Sequence, residues 1–397
     1  MMESDMTCMG FQYEISKEYS LKGKLGICES GFHFCENPFD CLGYYVNIKG
    51  DKRLFLVEAL GEVITEGDKS VTNKIKIIEE ITDIEKFFDK NINNFKIDWG
   101  CISVYQKLSE EFIEKYENKI NWDYISRYQK LSEEFIEKHS NKVNWGHISI
   151  YQKLSEEFIE KYNDKIDWYY ISIYQTLSEK FIEKHYDKVK WDNISKYQKL
   201  SEEFIEKYSN KVDWYWISQY QTLSEELIEK HGYKVYWDNI SRYQTLSEEF
   251  INKYSNKVNW GWISEYQTLS EEFIEKHSNK VYWGCISEHQ TLSEKFIDKY
   301  NDKVDWNCIS KFQTLSEEFI EKYIDKVYWD WISIYQTLSE SFIEKHGDKI
   351  HWGRISEYQT LSEDFIDKYT DRVDWDIILK HQTLSKEFRQ KYCDKIN

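Results

Sequence analysis

Four residues near the N-terminus have the side chains to hold a metal. Cys28, His33, Cys35 and Cys41 stand as C-x4-H-x-C-x5-C, and in an extended segment His33 and Cys35 point to the same face. That spacing matches no paired ligand knuckle, so buried structural cysteines are expected, with no metal and no cofactor. Glu58 lies in an apolar run and, beside Gly31-Phe32-His33-Phe34, is the acid best set for a degenerate transferase pocket. No nucleophile, glycine-rich phosphate loop or acid pair accompanies it, so the expectation is a chain without catalytic residues, not an enzyme.

His139, His185, His231 and His277 recur every 46 residues, where alternate copies carry Tyr. At two helical layers, on the order of 20 Å, they lie too far apart to share a metal, and a two-unit duplication accounts for them. Glu runs such as Glu133-Glu134 read as a solvated helix face.

What positions all of these is a repeat. Thirteen tryptophans, from Trp99 to Trp375, follow one another at 23-residue intervals, and the unit W-x-x-I-S-x-Y-Q-T-L-S-E-E-F-I-E-K-Y-x-D-K-V-D fills residues 99–397. A fixed period of this length signals a stacked architecture. In the unit from Trp122, the residues Trp122, Ile125 and Tyr128 are three apart and are expected on the inner side of a short helix A capped by Asn121. Ser132 is the expected N-cap of helix B, over Glu133 to His139. Leu131, Phe135, Ile136, His139 and Val143 form its inner side, Glu133, Glu134, Glu137 and Lys138 its outer side, with Glu134 and Lys138 an i,i+4 pair. Helices this short are marginal alone, so each must bury its apolar face against neighbouring units.

Comparing the copies separates stacking from function. Gln occurs after the helix-A aromatic position in every copy, Gln106 to Gln382, and Ser three residues earlier fails only at Leu379. Both are expected to satisfy backbone groups in the tight turns. The two residues after each Trp, and the one after each Ser, vary. Trp216, Trp262 and Trp331 fall there, with Tyr124, Tyr169, Tyr170 and Tyr215. Such aromatic residues are typical interface anchors, and this row is the expected partner-binding surface.

The balance of 71 acids against 53 Lys and Arg gives a net charge of −18 over 397 residues. It argues against a nucleic-acid surface and favours basic protein partners. No apolar run approaches the ~20 residues of a membrane helix. The start MMESDMTCMG lacks an apolar signal core, so a reducing, intracellular setting is expected.

The fold class expected is mainly α: an α-solenoid of thirteen two-helix repeats, of either hand, preceded by a small α+β domain. The divisions are 1–77 for that domain, 78–98 for a degenerate N-terminal cap and 99–397 for the repeats. Leu54–Leu60 and Gly31–Cys35 are the clearest strands, Gly61–Ile64 continues the first or starts another, and Pro38–Leu42 is a short helix opened by Asn37. In the cap, Ile84 and Phe88 stand for Leu108 and Phe112. At the far end, Leu379, Lys386 and Arg389 put polar or altered residues on the last layer, as a capping repeat does.

The unit W-x-x-I-S-x-Y-Q-x-L-S-E-E-F-I-E-K, as in Trp122 to Lys138, resembles the tandem repeats of uncharacterised giant DNA virus (mimivirus-like) proteins. GFHFCENPFDCLGYY (Gly31–Tyr45) with FLVEALGEVITEGDKSVTNKIKI (Phe55–Ile77) resembles a small uncharacterised domain of phage and giant-virus proteins. The resemblance implies a viral protein in host cytoplasm, viral factory or virion, and implies no activity or site residues. The function expected is a non-catalytic scaffold for protein–protein interaction. The alternatives are a structural component of virion or viral factory, and an N-terminal enzyme with the solenoid as recruiting arm.

Overall fold

The computed structural model describes residues 7–8, 11–27, 29–37, 40–41, 53–91 and 97–392. Its strands are β1 (Thr7–Cys8), β2 (Phe11–Gln12), β3 (Glu18–Ser20), β4 (Phe32–Phe34), β5 (Leu54–Ala59), β6 (Val63–Glu66), β7 (Lys69–Thr72) and β8 (Lys74–Ile81). They pair antiparallel as a β1–β2 ribbon and two three-stranded sheets, β3-β8-β5 and β4-β7-β6. Leu54–Leu60 and Gly31–Cys35 give β5 and β4, and Val63 opens a separate strand. In the short helix expected over Pro38–Leu42, the residues Pro38, Phe39 and Leu42 lie outside the described ones.

Phe55 and Ile77 form a small core with Tyr13, Tyr19 and Val57 packed on it. Gly31 holds φ 118°, and a Cβ there would meet Val71 Cγ2 at 2.3 Å, so the turn into β4 requires glycine. Strand β8 runs from Lys74 to Ile81 and pairs with β5 from Ile75 to Ile81, so the sheet extends past residue 77.

Helix Ile84–Asn91 follows. The Glu85 carboxylate accepts from the backbone N–H and hydroxyl of Ser109, as the Glu110 carboxylate accepts from Ser132 (2.6 and 3.0 Å). Asp89 pairs with Lys115 (2.7 Å) and Tyr116 (2.6 Å), as Glu114 pairs with Lys138 and His139. This helix is therefore a worn helix B that caps the array. Its acids stand 25 residues before their counterparts, one more than the match of Ile84 and Phe88 to Leu108 and Phe112 implies. The side chains of Ile84 and Phe88 are outside the described ones.

From Trp99 the chain is a solenoid-like series of thirteen helix pairs: a seven-residue helix A opening on Trp, and a six-residue helix B opening after Ser. The chain divides into two compact units, Met1–Gln198 and Lys199–Asn397, each with the same local plan. Ser132 accepts from Phe135 N–H (3.2 Å) and Asn121 from Asp123 and Tyr124 N–H, the caps expected. Leu131, Phe135, Ile136, His139 and Val143 are all buried.

Two features differ from the reading of the sequence. First, Lys138 does not pair with Glu134. It reaches Glu114 of the preceding helix B at 2.7 Å, and Lys253–Glu229 and Lys345–Glu321 repeat the link. Glu133 likewise is no free outer acid, because it caps Ser155 of the next repeat. A carboxylate on one helix B thus reaches the start of the next helix B, and a lysine at its end reaches back. Second, Tyr128 is 46% exposed, not core. Steps of three residues drift about 60° on an α-helix, so Trp122, Ile125 and Tyr128 spread over about 120°. The face that is fully buried is Ile125 with Ser126, and Trp122 is half-buried.

Candidate interaction surface

The turns engage one side of helix A and leave the other side free. Within each unit, each Gln side chain from Gln129 on serves the preceding repeat. Gln129 Oε1 accepts from Leu108 N–H at 2.9 Å, and its Nε2 donates to the carbonyls of Ser103 (3.0 Å) and Gln106 (2.6 Å). Ser126 Oγ donates to Trp122 C=O at 2.7 Å and accepts from Asn144 N–H at 2.9 Å. These side chains are buried and spent on stacking, which is the role expected for them. Trp122 Nε1 donates to Glu117 C=O at 2.9 Å, while its ring lies 5.0 Å from His139 and under Lys142 Nζ.

The opposite side of helix A is aromatic. Tyr124, Tyr169 and Tyr215 are exposed, whereas Tyr170, Trp216, Trp262 and Trp331 are half-buried. Each bulky residue two places after the core Trp leans on the aromatic residue four further on. Trp216 lies 5.7 Å from Tyr220, Trp262 5.8 Å from Tyr266, Trp331 5.9 Å from Tyr335, and Tyr170 6.3 Å from Tyr174. Tyr215 meets Trp216 at 4.8 Å and, at 5.2 Å, Tyr236, the N-cap residue of the next helix A. The seven residues singled out in the sequence thus stand on five repeats, with Tyr169 against Tyr170 (5.4 Å) and Tyr215 against Trp216 as neighbours on one helix.

What joins them within a unit is a row the sequence reading put in the core. The aromatic position before each Gln is Tyr in ten copies, Phe312 in one, and His289 and His381 in two. Its Tyr and Phe members are all exposed, from 43% at Tyr105 to 56% at Tyr174. Cations also sit on this face. Arg127 lies 5.0 Å from the Tyr128 ring and 5.3 Å from the Tyr151 ring. Arg242 lies 5.1 Å from Tyr243, 5.2 Å from Tyr266 and 4.5 Å from Trp262, and Lys311 lies 5.1 Å from Trp331. At about 100° per residue, Tyr128 lies about 40° from Tyr124 and about 160° from Ser126, so the full burial of Ser126 puts this row on the outer side.

The outer face of helix B is electrostatically quieter than its composition suggests. Its first Glu caps the next repeat's Ser and its fifth residue pairs with the next repeat's Lys, which leaves mainly the second position, such as Glu134, Glu249 and Glu272, facing solvent. Hydrogen bonds from Lys138 and then His139 hold the Glu114 carboxyl below its ordinary value. Lys253 does the same for Glu229, and Lys345 with His346 for Glu321.

The recurrent histidines are not alike. His139 and His185 approach Glu114 and Glu160, and a fifth, His346, breaks the 46-residue rhythm and approaches Glu321. His231, its ring tilted 31° against Trp214 at 4.6 Å, has no bonded ring nitrogen, and Nε2 of His277 is unbonded. Burial, then the neighbouring lysines, lowers the pKa of both below the ordinary 6.5. Below pH 6.5 the unfolded chain therefore binds protons that these folded sites refuse, and stability falls with pH toward their folded values. The Lys-bonded carboxylates add stability that is complete above the unfolded value of 4.5 and is lost as pH falls through their lower folded values. Melting followed from pH 7.5 to 3.5 should decline in two stages. Changing His231 and His277 together to Tyr, the residue at Tyr208 and Tyr254, should remove the first stage only. A melting temperature that is flat between pH 7 and 5 in the parent chain would refute the histidine assignment.

Of the four residues with ligand chemistry, Cys28 lies outside the described ones. The Cys35 and Cys41 thiols are hydrogen-bonded to each other, a contact that lowers Cys41 to about 7 and raises Cys35. Among the described residues no three His, Cys, Asp or Glu side chains gather as a metal site. Glu58 is exposed on β5 opposite Lys76 of β8, and His33 lies in the other sheet. Among the described residues no helix is long and apolar enough to cross a membrane.

No curated protein and no solved structure matches this chain. Residues 1–90 match a family described as a domain of unknown function (DUF7666), a span that takes in both sheets and most of the capping helix. The chain is thus an N-terminal DUF7666 domain followed by a tandem array of 23-residue helical repeats.

Proposed function

We propose that the protein is a non-catalytic scaffold that grips a protein partner along the outer face of its helices A. The observation that carries this reading is the exposed aromatic row. Stacking is accomplished by Ile, Ser, Gln, Leu and Phe, yet nearly every repeat also spends a Tyr on solvent. Rows of exposed aromatic residues mark contact surfaces, and Tyr and Trp are the commonest anchors in them. The net charge of −18 favours a basic partner and disfavours nucleic acid. The DUF7666 domain addresses or modifies the complex so held. The resemblance of the repeats to those of giant DNA virus proteins supports action in the cytoplasm or viral factory of an infected cell, or in the virion.

The test is affinity purification of the full chain from such cells, followed by mass spectrometry. One protein recovered near stoichiometry supports the scaffold. Recovery chiefly as a major constituent of purified particles, with no such partner, would replace it with a structural role.

A further inference from the structure

Given the scaffold reading, on which this rests, we propose that the helix-A face between Trp260 and Phe312 takes an extended, arginine-rich segment of the partner, one guanidinium in each of two neighbouring notches. The chain itself shows what a notch holds. A notch is the gap between the aromatic residues of consecutive repeats, floored by the residue just before the first of them. At Tyr243–Tyr266 that residue is Arg242, whose guanidinium lies about equally far from both rings and above Trp262, with Nη2 donating to Tyr266 Oη at 3.3 Å. At Tyr128–Tyr151 it is Arg127, placed the same way in the other unit. Lys311, in the notch after Phe312, lies 4.6 Å from Phe312 and 5.1 Å from Trp331. A guanidinium on two aromatic faces is a favourable, geometrically selective contact.

Between Arg242 and Lys311 the next two notches reverse the charge. Glu265 occupies the place of Arg242 in the notch Tyr266–His289, and Glu288 occupies it in the notch His289–Phe312. Both carboxylates act on Cys285, and Glu288 also on Cys308, so the two acids border one small-residue floor where other repeats put Trp or Tyr. Glu288 lies 3.8 Å from His289 Nε2. Ring walls at Tyr266, His289 and Phe312, a carboxylate in place of the built-in cation and a small residue in place of Trp262 make a seat for a cation from outside. Flanking cations at Arg242 and Lys311 confine that seat to two repeats, since they repel a guanidinium from the notches on either side.

Spacing follows from the layers. Packed helices stand roughly 8–10 Å apart, and an extended polyproline-II segment advances about 3.1 Å per residue with three residues per turn, so residues three apart fall on one side about 9 Å from each other. Three residues span one layer, so the segment reads R-x-x-R.

The experiment uses the full chain and two synthetic peptides of identical composition and charge, one with R-x-x-R and one with the two arginines adjacent. Titration at physiological salt should show the R-x-x-R peptide binding at least fivefold more tightly. The double variant Glu265→Gln/Glu288→Gln should lose that binding at least tenfold, while Glu249→Gln/Glu272→Gln on helix B, which removes the same charge, should change it less than twofold. Equal binding of the two peptides, or equal weakening by the two double variants, would mean long-range attraction only and overturns the proposal. A captured partner that needs the aromatic row but has no arginine-rich segment would overturn it too, while leaving the scaffold reading in place.

Discussion

Replacing Gln244 by Leu should cost the second unit about 3–5 kcal/mol, a large loss for a change that keeps the side chain's size. Gln244 Oε1 accepts from Leu223 N–H at 2.9 Å, and Nε2 donates to the carbonyls of Ser218 at 3.0 Å and Gln221 at 2.8 Å. All of this is buried, with Gln244 only 5% exposed. Leucine fills the space but leaves one N–H and two C=O groups without partners, and each orphaned buried group costs about 1–3 kcal/mol. The lower part of the summed range is expected, because carbonyls keep some alternatives. Gln244→Glu should be no milder: it keeps an acceptor for Leu223 but turns a carboxylate toward two carbonyls. Reversible denaturation, with hydrogen exchange at the Leu223 amide, measures both. A loss below about 1 kcal/mol for Gln244→Leu, or a tolerated Glu, would show that the ladder is not what joins neighbouring repeats.

That ladder was legible in the sequence because thirteen copies could be compared with one another. A polar residue that never varies in a tight turn has a backbone to satisfy. Helix B was legible for the same reason, since Leu131, Phe135, Ile136, His139 and Val143 lie on one side at any plausible register. Tyr128 was not, because three-residue spacing suits both a core stripe and a spiral across the helix, and only the burial of Ser126 decides which side is inner. The Lys138–Glu114 link was hidden by an equally good local partner, Glu134. Contacts one repeat away follow from the stacking offset, which the period alone does not give. In residues 1–90 only β4, β5 and the start of β6 could be read from the sequence, whereas β3, β7, β8 and the pairing β3-β8-β5 and β4-β7-β6 could not. The pairing depends on which edges meet, and the ion pair of Arg53 with Glu80 (2.6 Å) that accompanies β5–β8 is indistinguishable in sequence from many others.

The largest functional effect should come from Trp216, Trp262 and Trp331 changed together to Ser. None belongs to the fully buried Ile and Ser set, and each is half-buried against a Tyr of its own helix. The helix propensity lost is a few tenths of a kcal/mol per site. The stacking contacts of Ile217, Ile263 and Ile332, all fully buried, are untouched, so the circular dichroism should be unchanged and melting lowered only modestly. Partner capture should nevertheless disappear. Truncating one aromatic anchor at an interface centre commonly costs about 2 kcal/mol or more. Loss of three, on repeats whose exposed Tyr220, Tyr266 and Tyr335 lose their neighbour, amounts to several orders of magnitude in affinity. The companion change Tyr220, Tyr266 and Tyr335 to Ser separates the two rows. If the exposed Tyr row is the primary contact and the Trp residues only brace it, the Tyr variant should lose capture as completely as the Trp variant. A folded Trp variant that recovers the same partners at the same yield would remove the helix-A face from consideration, and the binding surface would have to be sought on helix B or in residues 1–90.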